Sequence, residues 1–190
     1  MIWSSDALIV VDVQNDFCPG GALAISGGDQ VVRTINGLIC RFDHIVFTRD
    51  WHPVDHCSFD DAPKFVDKSW PPHCLADSPG AAFHGDLRVP LDAMIVNKGG
   101  DPDVEAYSGF QDTTLAEDLR KRGIKRVFVC GLATDYCVKS TALDALREGV
   151  TVVLVADACQ GVDVPEGSVK KALAEMRAAG IQMHSAGEIE

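Results

Sequence analysis

The sequence predicts an α/β protein with a three-layer, doubly wound and mainly parallel six-stranded sheet and helices on both faces. Six short apolar runs have the length of strands, and several, such as LIVV, VFVC and VVLV, are almost wholly apolar. Such runs are typical of strands that are covered on both faces. Segments with helical spacing of apolar residues lie between most of these runs, and this alternation predicts parallel strands joined by helices.

The predicted strands are short apolar stretches that end at polar or turn-forming residues. In chain order they are residues 7–13, 44–48, 93–96, 126–130, 151–155 and 181–184. The predicted helices carry apolar residues three or four positions apart, and the last three are followed by glycine, a common helix terminator. In chain order they are residues 28–42, 113–122, 135–147 and 165–179.

Residues 51–91 interrupt this alternation. They show little periodicity, are rich in Pro, Gly, His and Asp, and contain two of the three tryptophans and four of the six histidines. An irregular stretch of this length inside a compact domain usually has a function. We therefore expect residues 1–190 to form one domain with a long excursion at residues 51–91 that carries part of a metal and substrate site.

Composition excludes several classes of partner. The net charge of −11 repels nucleic-acid phosphates and anionic membranes, so we expect neither as a partner. The N-terminal apolar run is cut by Asp12, which argues against a signal peptide, and no apolar stretch has the length to cross a bilayer. Seven scattered cysteines make a disulfide framework improbable and favour a reducing, cytoplasmic location.

Reactive residue types follow the predicted strands where each strand ends. The first strand ends in VDVQNDF, with Asp12 and Asp16, and the second ends in FTRDWH, with Asp50 and His52; the third ends in VNKGG, with Lys98, and Cys137 lies just beyond the fourth. Ligands of open α/β sheets bind outside the carboxyl ends of the strands. The topology therefore predicts that these side chains converge at one edge of the sheet.

Cys137 lies in the first turn of a predicted helix, with Thr134 and Asp135 as candidate capping residues. The partial positive charge of a helix N-terminus lowers the pKa of a thiol, and its free N–H groups can bind an oxyanion. These features predict a nucleophilic cysteine. The alternative is a buried structural thiol, the usual role of a free cysteine.

Asp12 and Lys98 each have a functional and a structural interpretation. Burial at the end of an apolar strand raises the pKa of an aspartate, which would make Asp12 a proton acceptor, or Asp12 only receives loop N–H groups. Lys98 either serves the same site or extends to solvent along the apolar strand.

The excursion supplies candidate metal ligands and aromatic residues. Asp50, His52, His56 and His73 form a workable donor set for Zn(II), Fe(II) or Mn(II), although Asp/His clusters in loops are often only polar. Phe17, Trp70 and Tyr107 either line a flat aromatic pocket or pack in the core.

Five motifs together resemble those of nicotinamidases, which belong to the isochorismatase-like cysteine hydrolases. In order they are ALIVVDVQNDFCPGGALAI, FTRDWHP, SWPPHC, KG with a later AYSGF, and GLATDYCVKSTALDA. The resemblance spans nearly the whole chain, and the pair RDWHP and WPPHC is its most specific part, because it marks the metal-containing branch.

The resemblance implies a set of roles for particular residues. It implies a catalytic triad of Asp12, Lys98 and Cys137, and it implies metal ligands Asp50, His52 and His73, with His56 as a further or water-mediated ligand. It also implies a cis peptide between Leu132 and Ala133, and an oxyanion hole made by the N–H groups of Ala133 and Cys137. The substrate ring would then be bound by Phe17, Trp70, Tyr107, Leu132 and Ala133.

The activity implied by the resemblance is hydrolysis of nicotinamide to nicotinate and ammonia through a thioester, a step of NAD salvage. Pyrazinamide is a second expected substrate. The expected cofactor is one divalent metal ion, zinc in first place with iron or manganese as alternatives, in a monomer or small homo-oligomer. Alternatives are a hydrolase of isochorismate or an N-carbamoyl amide, and a non-catalytic ligand-binding relative. The acidic segment 99–106 lacks an aromatic residue that some relatives carry, which could alter substrate tolerance.

Overall fold

The computed structural model describes residues 1–189, so the predicted domain of residues 1–190 ends one residue beyond them. Within these residues, six parallel strands form one sheet in the order β3-β2-β1-β4-β5-β6. The regular elements, in chain order, are β1 (Asp6–Val11), α1 (Val31–Ile39), β2 (His44–Asp50), β3 (Met94–Lys98), α2 (Leu115–Lys121), β4 (Arg126–Leu132), α3 (Lys139–Arg147), β5 (Thr151–Gln160), α4 (Ser168–Ala178) and β6 (Gln182–His184). The predicted fold class is confirmed.

The strand order reverses direction between β1 and β4, the two central strands. All six residues of β1 are buried, and its Ile9 is in register with Val46 of β2 and Val129 of β4. In doubly wound sheets, a crevice opens outside the carboxyl ends of the strands at such a reversal. The topology thus places a binding site beyond Val11 and Leu132.

Alternate residues of β1 separate two hydrophobic cores, because successive side chains of a strand point to opposite faces. Leu8 and Val10 pack with α1 on one face, whereas Ala7, Ile9 and Val11 pack with α2, α3 and α4 on the other. Only one regular helix covers the first face among the described residues. The excursion completes that layer.

The residues between β2 and β3 contain no regular helix or strand, as their sequence predicted. Isolated bridges hold the segment in place, pairing His52 with Leu75 and Phe59 with Trp70. Phe83 pairs with Gln14, and Leu87 packs into the core below α1. The excursion is therefore anchored both to itself and to the loop that follows β1.

All predicted strands and helices are present, but several ends differ. β5 continues to Gln160, because Cys159 still pairs with Gly131 of β4 after a register shift. The helix predicted at residues 135–147 begins as a separate π-helical turn, Thr134–Val138, and becomes α-helical only at Lys139. Gly131 has φ +114°, and a Cβ there would lie 2.1 Å from the Val11 carbonyl oxygen, so only glycine fits at this crossing.

Two further findings concern the whole described chain. None of the helices within residues 1–189 combines the length and the apolar character that crossing a membrane requires. The seven cysteines are all free thiols, as expected from their scattered spacing.

Candidate active site

The predicted residues from four strands meet at the carboxyl edge of the sheet. Asp12 directly follows β1, Asp50 and Lys98 are the last residues of β2 and β3, and Cys137 lies in the π-helical turn after β4. All four side chains are buried. The pocket above them is lined by Phe17, Leu23, Ile25, Asp50, His52, Trp70, His73, Glu105, Tyr107, Ala133, Tyr136, Cys137 and Val162.

The Lys98 ammonium joins the other three groups. Its Nζ donates a short hydrogen bond to Asp50 Oδ1, lies 2.9 Å from Asp12 Oδ2 and lies 3.4 Å from Cys137 Sγ. It also donates to the carbonyl oxygen of Ala106 at 3.2 Å. Burial alone would lower the Lys98 pKa, but Asp12 and Asp50 raise it well above its usual value, so the ammonium stays charged. The Lys98 side chain therefore points into this cluster and does not extend to solvent.

Asp12 has the properties of a proton acceptor. Burial raises its pKa despite the opposing charge of Lys98, as the sequence predicted. Its Oδ1 accepts a hydrogen bond from the Thr48 hydroxyl at 2.6 Å. Its Oδ2 contacts the Lys98 ammonium but accepts no hydrogen bond of regular geometry from any described residue. Asp12 also has φ +48°, an unusual conformation for an aspartate that is often associated with functional sites.

The thiol of Cys137 corrects one expectation from the sequence. A helix terminus was expected to lower its pKa, but burial raises the pKa well above the usual value, with Lys98 acting in the opposite direction. The helix-terminus argument considered only backbone dipoles, and desolvation of the thiolate outweighs them here. Burial therefore favours the neutral thiol of Cys137 over its thiolate.

The backbone before Cys137 leaves a donor free for a ligand. The Leu132–Ala133 peptide bond is cis, as the resemblance implied. The Ala133 carbonyl accepts hydrogen bonds from Tyr136 N at 3.1 Å and Val138 N at 3.1 Å. The Ala133 N–H, in contrast, donates to no other described residue, and Ala133 lines the pocket. This N–H can therefore donate to an oxygen atom of a ligand.

Asp50, His52 and His73 form a group that fits a divalent metal ion. One ligand atom of each lies within 4.8 Å of the others, and all three residues are buried. The Nδ1 atoms of His52 and His73 each lie 2.8 Å from a backbone carbonyl, of Gly99 and Pro71 respectively. A carbonyl only accepts, so Nδ1 carries the hydrogen in each neutral ring and Nε2 is free to coordinate. Two imidazoles and a carboxylate suit Zn(II), Fe(II) or Mn(II).

The pKa shifts of His73 and Asp50 agree with that role, whereas the shift of His52 favours a protonated ring, from which a metal ion would have to displace the proton. Burial lowers the pKa of His73 to about 4, so its ring is the neutral form that a metal requires. Burial also acts against the charge on His52, but its bond to Asp50 prevails and raises its pKa. Burial would raise the Asp50 pKa, yet the Lys98 ammonium and both histidines hold it below its usual range.

His56 does not join this group in the described residues. Its Nδ1 lies 2.8 Å from the Ser58 hydroxyl and its Nε2 lies 3.3 Å from the Val104 carbonyl oxygen. The centroid of its ring lies 4.1 Å from that of His52, and the two rings are tilted by 40°. Both ring nitrogens of His56 thus contact protein groups, and its ring lies beside that of His52.

Three of the predicted substrate-binding side chains form an aromatic wall. Phe17, Trp70 and Tyr107 all line the pocket, and Trp70 Nε1 donates to the Tyr107 hydroxyl at 3.0 Å. Tyr136, which sequence reasoning did not identify, packs edge-on against Trp70 at 5.0 Å. Leu132, which was expected to contact substrate, is fully buried in the core on the α1 side, because the alternation of β4 turns its side chain away from the pocket.

Sequence reasoning also missed Gln14, a fully buried residue two positions after Asp12. Its Nε2 donates to the carbonyl oxygens of Asp50 at 2.8 Å and Ala81 at 2.9 Å, and its Oε1 accepts from the Asp50 N–H at 2.8 Å. Gln14 therefore holds both backbone groups of Asp50. An amide placed just after the strand-end Asp12 was the available signal in the sequence.

Asp16 connects the same loop to the segment that carries His73, the third member of the Asp50, His52 and His73 cluster. Its Oδ2 accepts from the N–H of Cys74, the neighbour of His73, at 2.7 Å, and its Oδ1 accepts from the Ala22 N–H at 3.2 Å. A Cβ at Gly80 would lie 2.1 Å from this carboxylate. The loop after β1 thus positions both Asp50 and His73.

Comparisons with a family profile, with related sequences and with solved structures each match nearly the whole chain. The profile of the isochorismatase domain matches residues 6–188. A nicotinamidase/pyrazinamidase of Mycobacterium tuberculosis is 41% identical, over 93% of this chain and 97% of that protein. A pyrazinamidase of Pyrococcus horikoshii, solved in complex with zinc, is 45% identical with a TM-score of 0.86, over 95% of this chain and 99% of that one. An L. infantum protein solved in complex with nicotinate is 37% identical with a TM-score of 0.88, over 98% of this chain and 96% of that one.

Proposed function

Since the chain belongs to the isochorismatase domain family, we propose that it is a metal-dependent cysteine amidohydrolase that converts nicotinamide into nicotinate and ammonia. The observation that carries the proposal is the position of Lys98. One buried ammonium contacts the thiol of Cys137, the carboxylate of Asp12 and a carboxylate of the metal-type cluster. A nucleophile and a metal site are thereby joined at the base of one aromatic pocket. Similar proteins are named nicotinamidase or pyrazinamidase, and solved relatives hold zinc or nicotinate.

Acylation begins with a proton transfer within the triad. Asp12 Oδ2 takes the proton of the Cys137 thiol, and Lys98 stabilises the thiolate that forms. The sulfur attacks the amide carbon, and the N–H groups of Ala133 and Cys137 hold the oxyanion. A donor of this kind is worth about 3 kcal/mol in comparable sites. Asp12 then returns the proton to the leaving nitrogen, so that ammonia departs and a thioester on Cys137 remains.

Deacylation uses the same base a second time. Asp12 removes a proton from a water molecule, the resulting hydroxide attacks the thioester carbon, and the oxyanion occupies the same donors. Collapse of this adduct breaks the carbon–sulfur bond, and Asp12 returns its proton to the thiolate. The carboxylic acid that is released loses its own proton to solvent and becomes nicotinate. The cycle restores a neutral thiol, which is the resting form that burial favours.

Asp50, His52 and His73 would hold the metal ion, for which zinc is the first choice and iron or manganese are alternatives. When bound, a divalent cation supplies a Lewis acid for the lone pair of the substrate ring nitrogen. The aromatic wall of Phe17, Trp70 and Tyr107 would bind the flat ring, and the same wall suits pyrazinamide. His56 would support His52 from behind.

The proposal extends to the setting of the enzyme. Residues 1–190 act as one domain in the cytoplasm, as a monomer or small homo-oligomer, and the product enters NAD salvage. Hydrolysis of isochorismate or an N-carbamoyl amide is less consistent with a pocket base that carries a two-histidine, one-carboxylate cluster.

Ammonia release by Cys137→Ala tests the nucleophile. We expect turnover of nicotinamide to fall by at least about 10³-fold, because the covalent step is lost. Cys130→Ala is the matched control, since it deletes another fully buried thiol, in β4 and away from the pocket. That variant should keep its turnover. Wild-type rates in Cys137→Ala, or equal losses in both variants, would contradict the proposed role of Cys137.

A further inference from the structure

Asp135 is a buried residue of the π-helical turn that the catalytic scheme above does not use. Its place in the sequence suggested a capping role, but no side chain caps the start of this turn or of α3. Its carboxylate bonds instead to the residues that join β5 to α4. It is 4% exposed, and within residues 1–189 it takes part in no ion pair. The buried carboxylate therefore relies on hydrogen bonds to compensate its charge.

Three donors of the β5–α4 loop, which we define as residues 161–168, supply these bonds. Asp135 Oδ1 accepts from the Val162 N–H at 3.0 Å. Its Oδ2 accepts from the Asp163 N–H at 3.0 Å and from the Ser168 hydroxyl at 2.5 Å. Hydrogen bonds to an ionised acceptor are about twice as strong as those between neutral groups. One carboxylate thus holds both ends of the β5–α4 loop.

Two further contacts keep the β5–α4 loop close to the turn. The hydroxyl of Tyr136, the residue after Asp135, donates to the Val164 carbonyl oxygen at 2.5 Å. At Gly161, a Cβ would lie 2.2 Å from Val169 Cγ2 and 3.0 Å from Asp135 Oδ1, so a side chain there would push the loop away. The loop is therefore bound by two successive residues of the turn and is packed directly against them.

Cys137 itself does not depend on these bonds. The turn is closed by two of its own N–H groups, which donate to the Ala133 carbonyl oxygen, and Cys137 and Val138 pack in the core on the α3 side. On the loop side, Val162 lines the pocket together with Cys137. The bonds of Asp135 thus fix a wall of the pocket relative to the nucleophile, whereas other contacts hold the nucleophile.

We propose that Asp135 is a positioning residue, which holds the Val162 wall against the turn of Cys137 and thereby sets the affinity of the pocket for its aromatic amide. The nature of that substrate rests on the proposed function. While the carboxylate holds the loop, this wall is in place before the amide binds, so binding requires no ordering of the loop. When the bonds are lost, the wall moves and binding weakens, but the chemical steps at Cys137 continue.

The test compares Asp135→Asn with Asp6→Asn, both as zinc-loaded protein. Asp135→Asn keeps the size of the side chain, but its NH₂ group cannot accept the bond from a loop N–H. Asp6→Asn is the matched control, because Asp6 is 2% exposed and accepts from the Trp3 N–H at 2.8 Å and from Arg126. It lies at the start of β1, at the end of that strand remote from the pocket.

Two measurements are made on each protein. Steady-state ammonia release from nicotinamide gives KM and kcat separately. The rate at which iodoacetamide alkylates Cys137, followed by peptide mass spectrometry, reports how often the pocket wall opens and needs no substrate.

We expect the KM of Asp135→Asn to rise about tenfold, the effect of losing one apolar wall contact, while kcat falls by less than about threefold. Alkylation of Cys137 should be at least about fivefold faster than in wild type, because the wall opens more often. Asp6→Asn should lower the Tm and leave KM and the alkylation rate within about twofold of wild type.

Ser168→Ala approaches the same bonds from the loop side and leaves the turn unchanged. It removes one of the three bonds, so its KM should rise about threefold. If Asp135→Asn does not fold, this variant decides the question, and a wild-type KM in Ser168→Ala would then overturn the inference.

Three results with folded Asp135→Asn would also overturn it: a wild-type KM, equal changes in Asp6→Asn, or a loss confined to kcat. The last would mean that Asp135 acts on Cys137 itself. A wild-type protein that releases no ammonia would contradict the proposed function instead, and the alkylation rates would still decide the role of Asp135.

Discussion

Replacing Gln14 by methionine should weaken both the fold and the metal site. Methionine keeps the length of the side chain but leaves the Asp50 N–H, the Asp50 carbonyl and the Ala81 carbonyl without their partner. A buried group left unpaired costs about 1–3 kcal/mol, so the free energy of unfolding should fall by at least about 3 kcal/mol. In a chain of 190 residues, this corresponds to a decrease in Tm of about 6–12 °C.

The zinc affinity of Gln14→Met shows whether Gln14 positions the metal ligand Asp50 or only stabilises the fold. Groups that orient a metal ligand typically contribute about 10–100-fold in affinity, so the dissociation constant for zinc should rise by at least about tenfold in Gln14→Met. Competition with a chromophoric chelator, well below the Tm, measures it.

Asn36→Leu is the matched control for Gln14→Met. It removes another bridging amide, which bonds Asp86 O and Arg88 N at 2.8 Å on the far side of α1. This control should lower the Tm slightly and leave zinc affinity unchanged. Wild-type zinc affinity in Gln14→Met, or an equal loss in Asn36→Leu, would refute the positioning role.

Further predictions concern the triad. Asp12→Asn should lower kcat by about 10²–10⁴-fold, because an amide cannot take the thiol proton, while zinc content stays near wild type; steady-state ammonia release measures this, and a loss below tenfold would contradict the base assignment. Lys98→Met should lower the free energy of unfolding by about 3–5 kcal/mol, because two carboxylates lose their buried cation. Lys121→Met, which breaks only an exposed pair with Glu117, should leave the denaturant midpoint close to that of wild type, and similar denaturant midpoints for the two lysine variants would argue against the buried network.

Much of the fold could be predicted because burial on both faces leaves a strong trace in the sequence. The run that forms β1 is apolar at nearly every position, since helices and the excursion cover both sides of it. The extension of β5 to Gln160 left no such trace, because its last residues are partly polar and are held by pairing with β4. The π-helical turn before α3 was also not predictable, since it is set by the contacts of the loop rather than by local helix propensity.

The sequence predicted those parts of the site whose position follows from the order of the strands. Strand order brings the ends of the strands that carry or precede Asp12, Asp50, Lys98 and Cys137 to one edge of the sheet. Contacts within the excursion were not predictable: spacing cannot say that His56 bonds to Ser58 and Val104 and does not join the cluster.

The raised pKa of Cys137 was missed for a related reason. It depends on how deeply the thiol is buried, which the position at a helix terminus does not reveal. The contacts of Gln14 with Asp50 likewise became visible only when the loops were placed around the strand ends.

The proposed activity requires that the Cys137 thiol and a metal ion act together on nicotinamide. The most direct test is ammonia release from nicotinamide by one purified sample, assayed as prepared, after chelation and after zinc is restored, with metal content measured at each stage. We predict about one metal ion per chain as prepared, a loss of activity in proportion to metal removal, and recovery with zinc. Full activity in the metal-free protein, or no ammonia from folded, zinc-loaded protein, would contradict the account.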